Sequence, residues 1–97
     1  MYQFTISEGA KAHIGIAQSW YHSIAPNLSK RFLIRFRQTI QLLTEYPEIK
    51  PVAYDNVHCA GVNDFPYTIH YVIDRKQKHI NVIGVFHTAA HPDNWKP

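Results

Sequence analysis

Histidine is the side chain that moves protons most readily near neutral pH, and this chain holds seven: His13, His22, His58, His70, His79, His87 and His91. With Tyr54, the residues His58, His87 and His91 are the candidate acid and base groups for chemistry on a phosphodiester. A plainer reading stands beside that one. His87 would be a strand-end histidine bonded to backbone, and His91 a loop residue ahead of Pro92. No histidine pair stands at zinc-finger spacing with cysteines, and there is no HExxH. His87 and His91 are four apart, but they straddle a strand end and a loop and do not share a helix face. No metal site and no cofactor are therefore expected. The single cysteine, Cys59, has no catalytic signature around it and reads as a small half-buried residue.

Charge offers a second chemistry. The chain is mildly basic, with a formal charge of +3 and a pI near 9.1. This favours an anionic partner, either nucleic acid or an acidic protein surface. Two groups of cations are candidates for binding it. Arg31 and Arg35 belong to a helical stretch that also carries Lys30 and Arg37. Arg75, Lys76 and Lys78 cluster in a short polar segment between two apolar runs. The alternative is a solvated helix face and a loop kept soluble by charge.

The elements that must position these groups follow from periodicity. Tyr2, Phe4 and Ile6 alternate with Gln3 and Thr5, as in a short strand with one covered face. Ser7 and Glu8 suit the start of a helix. Its apolar positions are Ala10, His13/Ile14, Ala17, Trp20/Tyr21 and Ile24, and Pro26 is expected to end it. Asn27 is the expected cap of a second helix, with Leu28, Phe32, Leu33, Phe36, Ile40 and Leu43 at helical spacing and a stop ahead of Pro47. A loop of about three residues would make the pair a helical hairpin. Residues 47–64 read as loop, with a short strand between Val57 and Val62. Phe65 to Ile73 alternates strongly. Asp74 to Lys78 has the length of a hairpin loop, and His79 to His87 forms the last strand. Ile80, Val82 and Phe86 are expected on one of its faces, Ile83 and Val85 on the other. Apolar residues on both faces predict a central strand covered on both sides, and Gly84 predicts a bend or a close approach.

The order is strand, two helices, then three strands. It predicts an α+β fold in which a helical hairpin packs on one sheet containing an antiparallel three-strand meander. At 97 residues a single domain, 1–97, is expected. Hydrophobic residues at 45% and charged residues at 18% exclude an intrinsically disordered chain. No apolar run is long enough for a membrane span, and the first residues lack the features of a signal peptide. One cysteine excludes an internal disulfide and fits a reducing compartment, so the cytoplasm is the expected location.

The residues now assembled resemble the RelE/ParE toxin superfamily, and its ParE-like branch in particular. The similarity lies in Trp20-Tyr21 late in the first helix and in Arg31-Phe32 near the start of the second. It continues in the strand Phe65-Pro66-Tyr67-Thr68-Ile69-His70-Tyr71-Val72-Ile73, in Val82-Ile83-Gly84-Val85-Phe86-His87, and in Pro92-Asp93-Asn94-Trp95. The resemblance implies a toxin of a type II toxin–antitoxin pair, neutralised by a cognate antitoxin protein. It implies DNA gyrase as the target for a ParE-like chain, or ribosome-bound mRNA as the substrate of a RelE-like endonuclease. Many family members carry arginines where this chain has His58-Cys59-Ala60 and Thr88-Ala89-Ala90-His91. Arginine holds phosphate oxygens in a planar, permanently charged fork, and Ala90 cannot. The absence of these arginines favours a toxin acting by binding a protein, with the RelE-like endonuclease as the alternative. A non-toxic descendant that keeps antitoxin binding is a further alternative.

Overall fold

The computed structural model describes residues 1–89. Ala90, His91 and the segment from Pro92 to Trp95, which carry part of the sequence reading, lie outside the described residues.

Strand β1 spans Gln3–Ile6 and leads into helix α1, Glu8–Ile24. Ser7 caps α1: its hydroxyl oxygen accepts the Ala10 N–H at 3.1 Å, and Glu8 sits in the positive first turn. Helix α2, Pro26–Glu45, follows after Ala25 alone. The expected three-residue loop and Asn27 cap are therefore corrected. Pro26 occupies the first turn of α2, where its fixed φ suits the helix and its missing N–H costs nothing. Ala25, in extended geometry, serves both helices as the turning residue. α2 stops at Glu45, two residues ahead of Pro47, as the pre-proline restriction requires.

Among the described residues five strands, not four, form one sheet in the order β1-β5-β4-β3-β2. The additional strand is β2, Val52–Tyr54, which pairs antiparallel with β3, Val57–Gly61. Three residues long and mostly exposed, β2 is too short to show alternation, so its sequence reads as loop. β3, β4 (Tyr67–Asp74) and β5 (His79–His87) form the expected antiparallel meander. β1 adds to the far side of β5 in parallel, so β5 has a neighbour on each side, as expected, but the helices cover only one of its faces and Ile83 is 37% exposed.

A bulge corrects the faces of β5. His70 pairs with Gly84 and Tyr71 with Val82, which leaves Ile83 as the extra residue. The phase shifts there by one. Val85 joins Ile80 and Val82 in the core, and Phe86 lies on the other face. Both helices cover the core face. Ala10, Ile14 and Ala17 of α1 and Phe32, Phe36, Ile40 and Leu43 of α2 pack on Ile69, Tyr71, Ile73, Ile80, Val82 and Val85. Phe32 is fully buried and meets the rings of Tyr21, Phe36, Phe65 and Tyr67 at centroid distances of 5.4–6.3 Å. Tyr71, also fully buried, keeps its hydroxyl satisfied by donating to the Pro47 carbonyl at 3.0 Å. Burial, followed by the charges of Cys59 and Glu48, pushes its pKa up to about 12.

Candidate functional site

Strand parity decides which side chains share the face away from the helices. Cys59 lies opposite His70, and Thr68 opposite Phe86. Tyr54 reaches the same face from β2, because its hydroxyl shares a 2.9 Å hydrogen bond with His70 Nδ1. The Cys59 sulfur lies 3.5 Å from the same nitrogen. Phe86 stands edge-on to the His70 ring at 4.9 Å. It fits because residue 84 is glycine: a β-carbon there would collide with the Phe86 ring. His13 closes the cluster from α1. Its ring lies 4.7 Å from Phe86, and its Nδ1 accepts the Val85 N–H at 3.2 Å, just past the bulge.

The electrostatics of this cluster are those of neutral groups. His70 has no exposed surface, and burial, with His13 as the smaller cause, lowers its pKa to about 4. Burial raises the pKa of the Cys59 thiol. The Tyr54 hydroxyl is raised by burial first and by Cys59 and Asp55 second. At neutral pH all three are uncharged. A proton can pass between Tyr54 and His70 over their hydrogen bond. Nothing among the described residues of the cluster can neutralise charge developing on a phosphoryl oxygen. Indeed none of the five strands contains a lysine or an arginine. Among the described residues no group of three His, Cys, Asp or Glu side chains could hold a metal ion.

Of the four residues named for acid/base work, the three that are described, Tyr54, His58 and His87, are not brought together. Tyr54 belongs to the cluster just described. His58 lies on the opposite, helix-covered face, almost fully buried. It stacks on Tyr71 at 5.2 Å, and its Nδ1 bonds the Lys50 carbonyl. His87 is exposed at the end of β5. Its ring stands edge-on to Tyr67 at 5.3 Å, and its Nδ1 accepts the Ala89 N–H at 3.0 Å. That matches the plainer reading of a strand-end histidine bonded to backbone. His91 lies outside the described residues. The cluster's other members, His70 and His13, carry no sequence signal of their own. Only the register against Cys59 and the bulge at Ile83 bring them together.

The cations sit on the helices and at one end of the sheet. Arg35 pairs with Asp64 at 3.0 Å and so ties α2 to the loop between β3 and β4. Arg75 pairs with Glu48 at 2.6 Å and ties the β4–β5 hairpin to the turn after α2. That contact lowers the Glu48 pKa, chiefly through the hydrogen bond from Arg75. Lys76 and Lys78 are exposed at the hairpin tip, where Lys78 has a φ of 52°. Arg31, exposed on α2, makes no ion pair among the described residues.

No protein-family model matches the sequence, and no curated protein matches it significantly. Solved structures do match the fold. A chain of the chromosomal ParDE toxin–antitoxin system from P. aeruginosa superposes with a TM-score of 0.76 at 12% identity, covering 90% of this chain and 96% of that one. A chain of the intact E. coli RelBE toxin–antitoxin complex gives 0.60 at 14% identity, covering 94% of this chain and 100% of that one. The isolated E. coli RelE toxin gives 0.61 at 12% identity, covering 98% and 93%. The strand, helical hairpin and single sheet described above are thus the RelE/ParE-like fold.

Proposed function

We propose that this chain is the toxin of a type II toxin–antitoxin pair, acts by binding a protein with DNA gyrase as its target, and is neutralised in the cytoplasm by a cognate antitoxin. The observation that carries the choice is the outward face of the sheet. It presents a closed cluster of neutral Tyr54, Cys59, His70 and Phe86, and no strand supplies a lysine or arginine. Such a face is poorly suited to hold and cleave a phosphodiester, since charge stabilisation is a large part of that chemistry. The closer superposition on the ParDE chain than on the RelE chains supports the same choice. Of the cations without an ion pair among the described residues, Lys30, Arg31 and Arg37 lie on α2 and Lys76 and Lys78 on the β4–β5 turn, where a protein surface can meet them.

A second reading, a ribosome-dependent mRNA endonuclease, draws on the hydrogen bond between Tyr54 and His70 as a proton-transfer pair. Induction of the chain in a bacterial host without antitoxin separates the readings. A ParE-like toxin arrests growth and leaves translated mRNA intact. Codon-phased cuts in primer extension would establish the endonuclease instead, and normal growth would mark a non-toxic descendant.

A further inference from the structure

Ile16, Trp20 and Ile24 follow one another at a spacing of four along α1, and they are 69%, 61% and 57% exposed. Large side chains in such a row form a ridge on the helix surface. The cleft between α1 and α2 lies elsewhere. Gly15, Gln18, Ser19, His22 and Ser23 line it together with Ser29 of α2. At 3.6 residues per turn the ridge falls on the opposite flank of α1, which α2 leaves open. Lys11, the only lysine or arginine of α1, points away from the ridge by the same rotation.

Charge indicates what covers this flank. Residues 12–29 contain no aspartate, glutamate, lysine or arginine. α2, by contrast, carries Lys30, Arg31, Arg35 and Arg37 and no acidic residue before Glu45. Even the β1 groove, an apolar opening of about 550 Å³ between β1 and α2 beside Phe4, has Arg37 in its wall. A nucleic acid or an acidic segment finds no cation on the α1 ridge. A helix that seats on a membrane is rimmed by lysine and arginine, which this flank lacks. What fits is another apolar face without charge, and the chain itself supplies one. We propose that α1 pairs antiparallel with α1 of a second copy, with Trp20 beside the two-fold axis and Ile16 of each copy against Ile24 of the other. This pairing leaves both α2 helices and their cations on the outer sides, so two chains of charge +3 meet without opposing them. It also sets the two helix dipoles head to tail. Ser23 donates its hydroxyl hydrogen to the Trp20 carbonyl at 2.6 Å, so closing the pair strands no donor there. Three apolar side chains per copy make a small interface, and association in the micromolar range is expected.

The test is sedimentation of the purified full chain from low micromolar to several hundred micromolar. The chain is expected to pass from monomer to dimer as concentration rises. Trp20→Glu sets two like charges beside the axis and should weaken association by roughly ten-fold or more. Ile16→Lys and Ile24→Glu should each weaken it alone. A mixture of those two variants should associate again, because antiparallel packing sets residue 16 of one copy against residue 24 of the other. All three positions are exposed, so each variant is expected to keep the thermal melt of the unaltered chain. If Trp20→Glu fails to fold, the mixture of Ile16→Lys and Ile24→Glu still decides. A monomer at every concentration, a dimer indifferent to Trp20→Glu, no association in the mixture, or a dimer lost on Phe4→Glu in the β1 groove instead would each overturn the proposal. Because the readout is mass in solution, its failure is separate from failure of growth arrest, which tests the toxin reading alone.

Discussion

His70 sets the pH response of the fold. Its pKa falls from 6.5 to about 4 because burial excludes the charged imidazole. Between those values the unfolded chain binds a proton that the folded chain refuses. This contribution to stability is therefore complete above about pH 6.5 and is lost progressively as pH falls toward 4. Urea unfolding at pH 7 and pH 5 should give a lower midpoint at pH 5, and His70→Phe should reduce the difference. An equal pH dependence in both proteins would contradict the assignment. Gly84 is the second sensitive position, since Phe86 occupies the space a β-carbon would need. Gly84→Ala should cost roughly 1–3 kcal/mol through overpacking. Combining it with Phe86→Leu should restore part of that loss in thermal melts.

Among the elements, α2 carries the largest share of the helix-side core. Phe32 has no exposed surface and touches four aromatic rings, so Phe32→Ala should destabilise by about 3–5 kcal/mol, measured by denaturant unfolding. Most of this was legible in the sequence. The spacing of Phe32, Phe36, Ile40 and Leu43 marks the buried stripe, and the alternation from Tyr67 to Ile73 marks β4. What was not legible depends on contacts distant in sequence. β2 exists only because β3 lies beside it, and Phe86 changes face because one residue, Ile83, has no partner on β4. The histidines show the same limit. His58 and His70 are chemically alike and both buried, yet parity within the sheet puts them on opposite faces. No residue type announces that difference. The helix junction failed for a local reason: proline both ends one helix and begins another, and here Pro26 begins α2.

Across the whole molecule, the cations among the described residues are kept off the sheet. The strands carry no lysine or arginine, and most of the cations lie on α2 and the β4–β5 turn, with Lys11 on α1 and Lys50 ahead of β2. Exposed apolar residues gather in separate places. Phe4 borders the β1 groove, while Ile16, Trp20 and Ile24 form a stripe along α1 that is 57–69% exposed. A binding protein can use such a distribution. A nuclease needs cations beside its proton-transfer groups, and the neutral outward cluster has none among the described residues. Separation of function should therefore be visible in variants. Tyr54→Phe removes the hydroxyl from His70 and should leave growth arrest on induction intact, whereas an endonuclease built on that pair would lose toxicity. The central claim, a toxin that acts by binding its target, is tested most directly by titrating the purified chain into a DNA gyrase supercoiling assay. The account predicts inhibition at micromolar concentration. Undiminished supercoiling at that concentration, with growth arrest still present in cells, would contradict it.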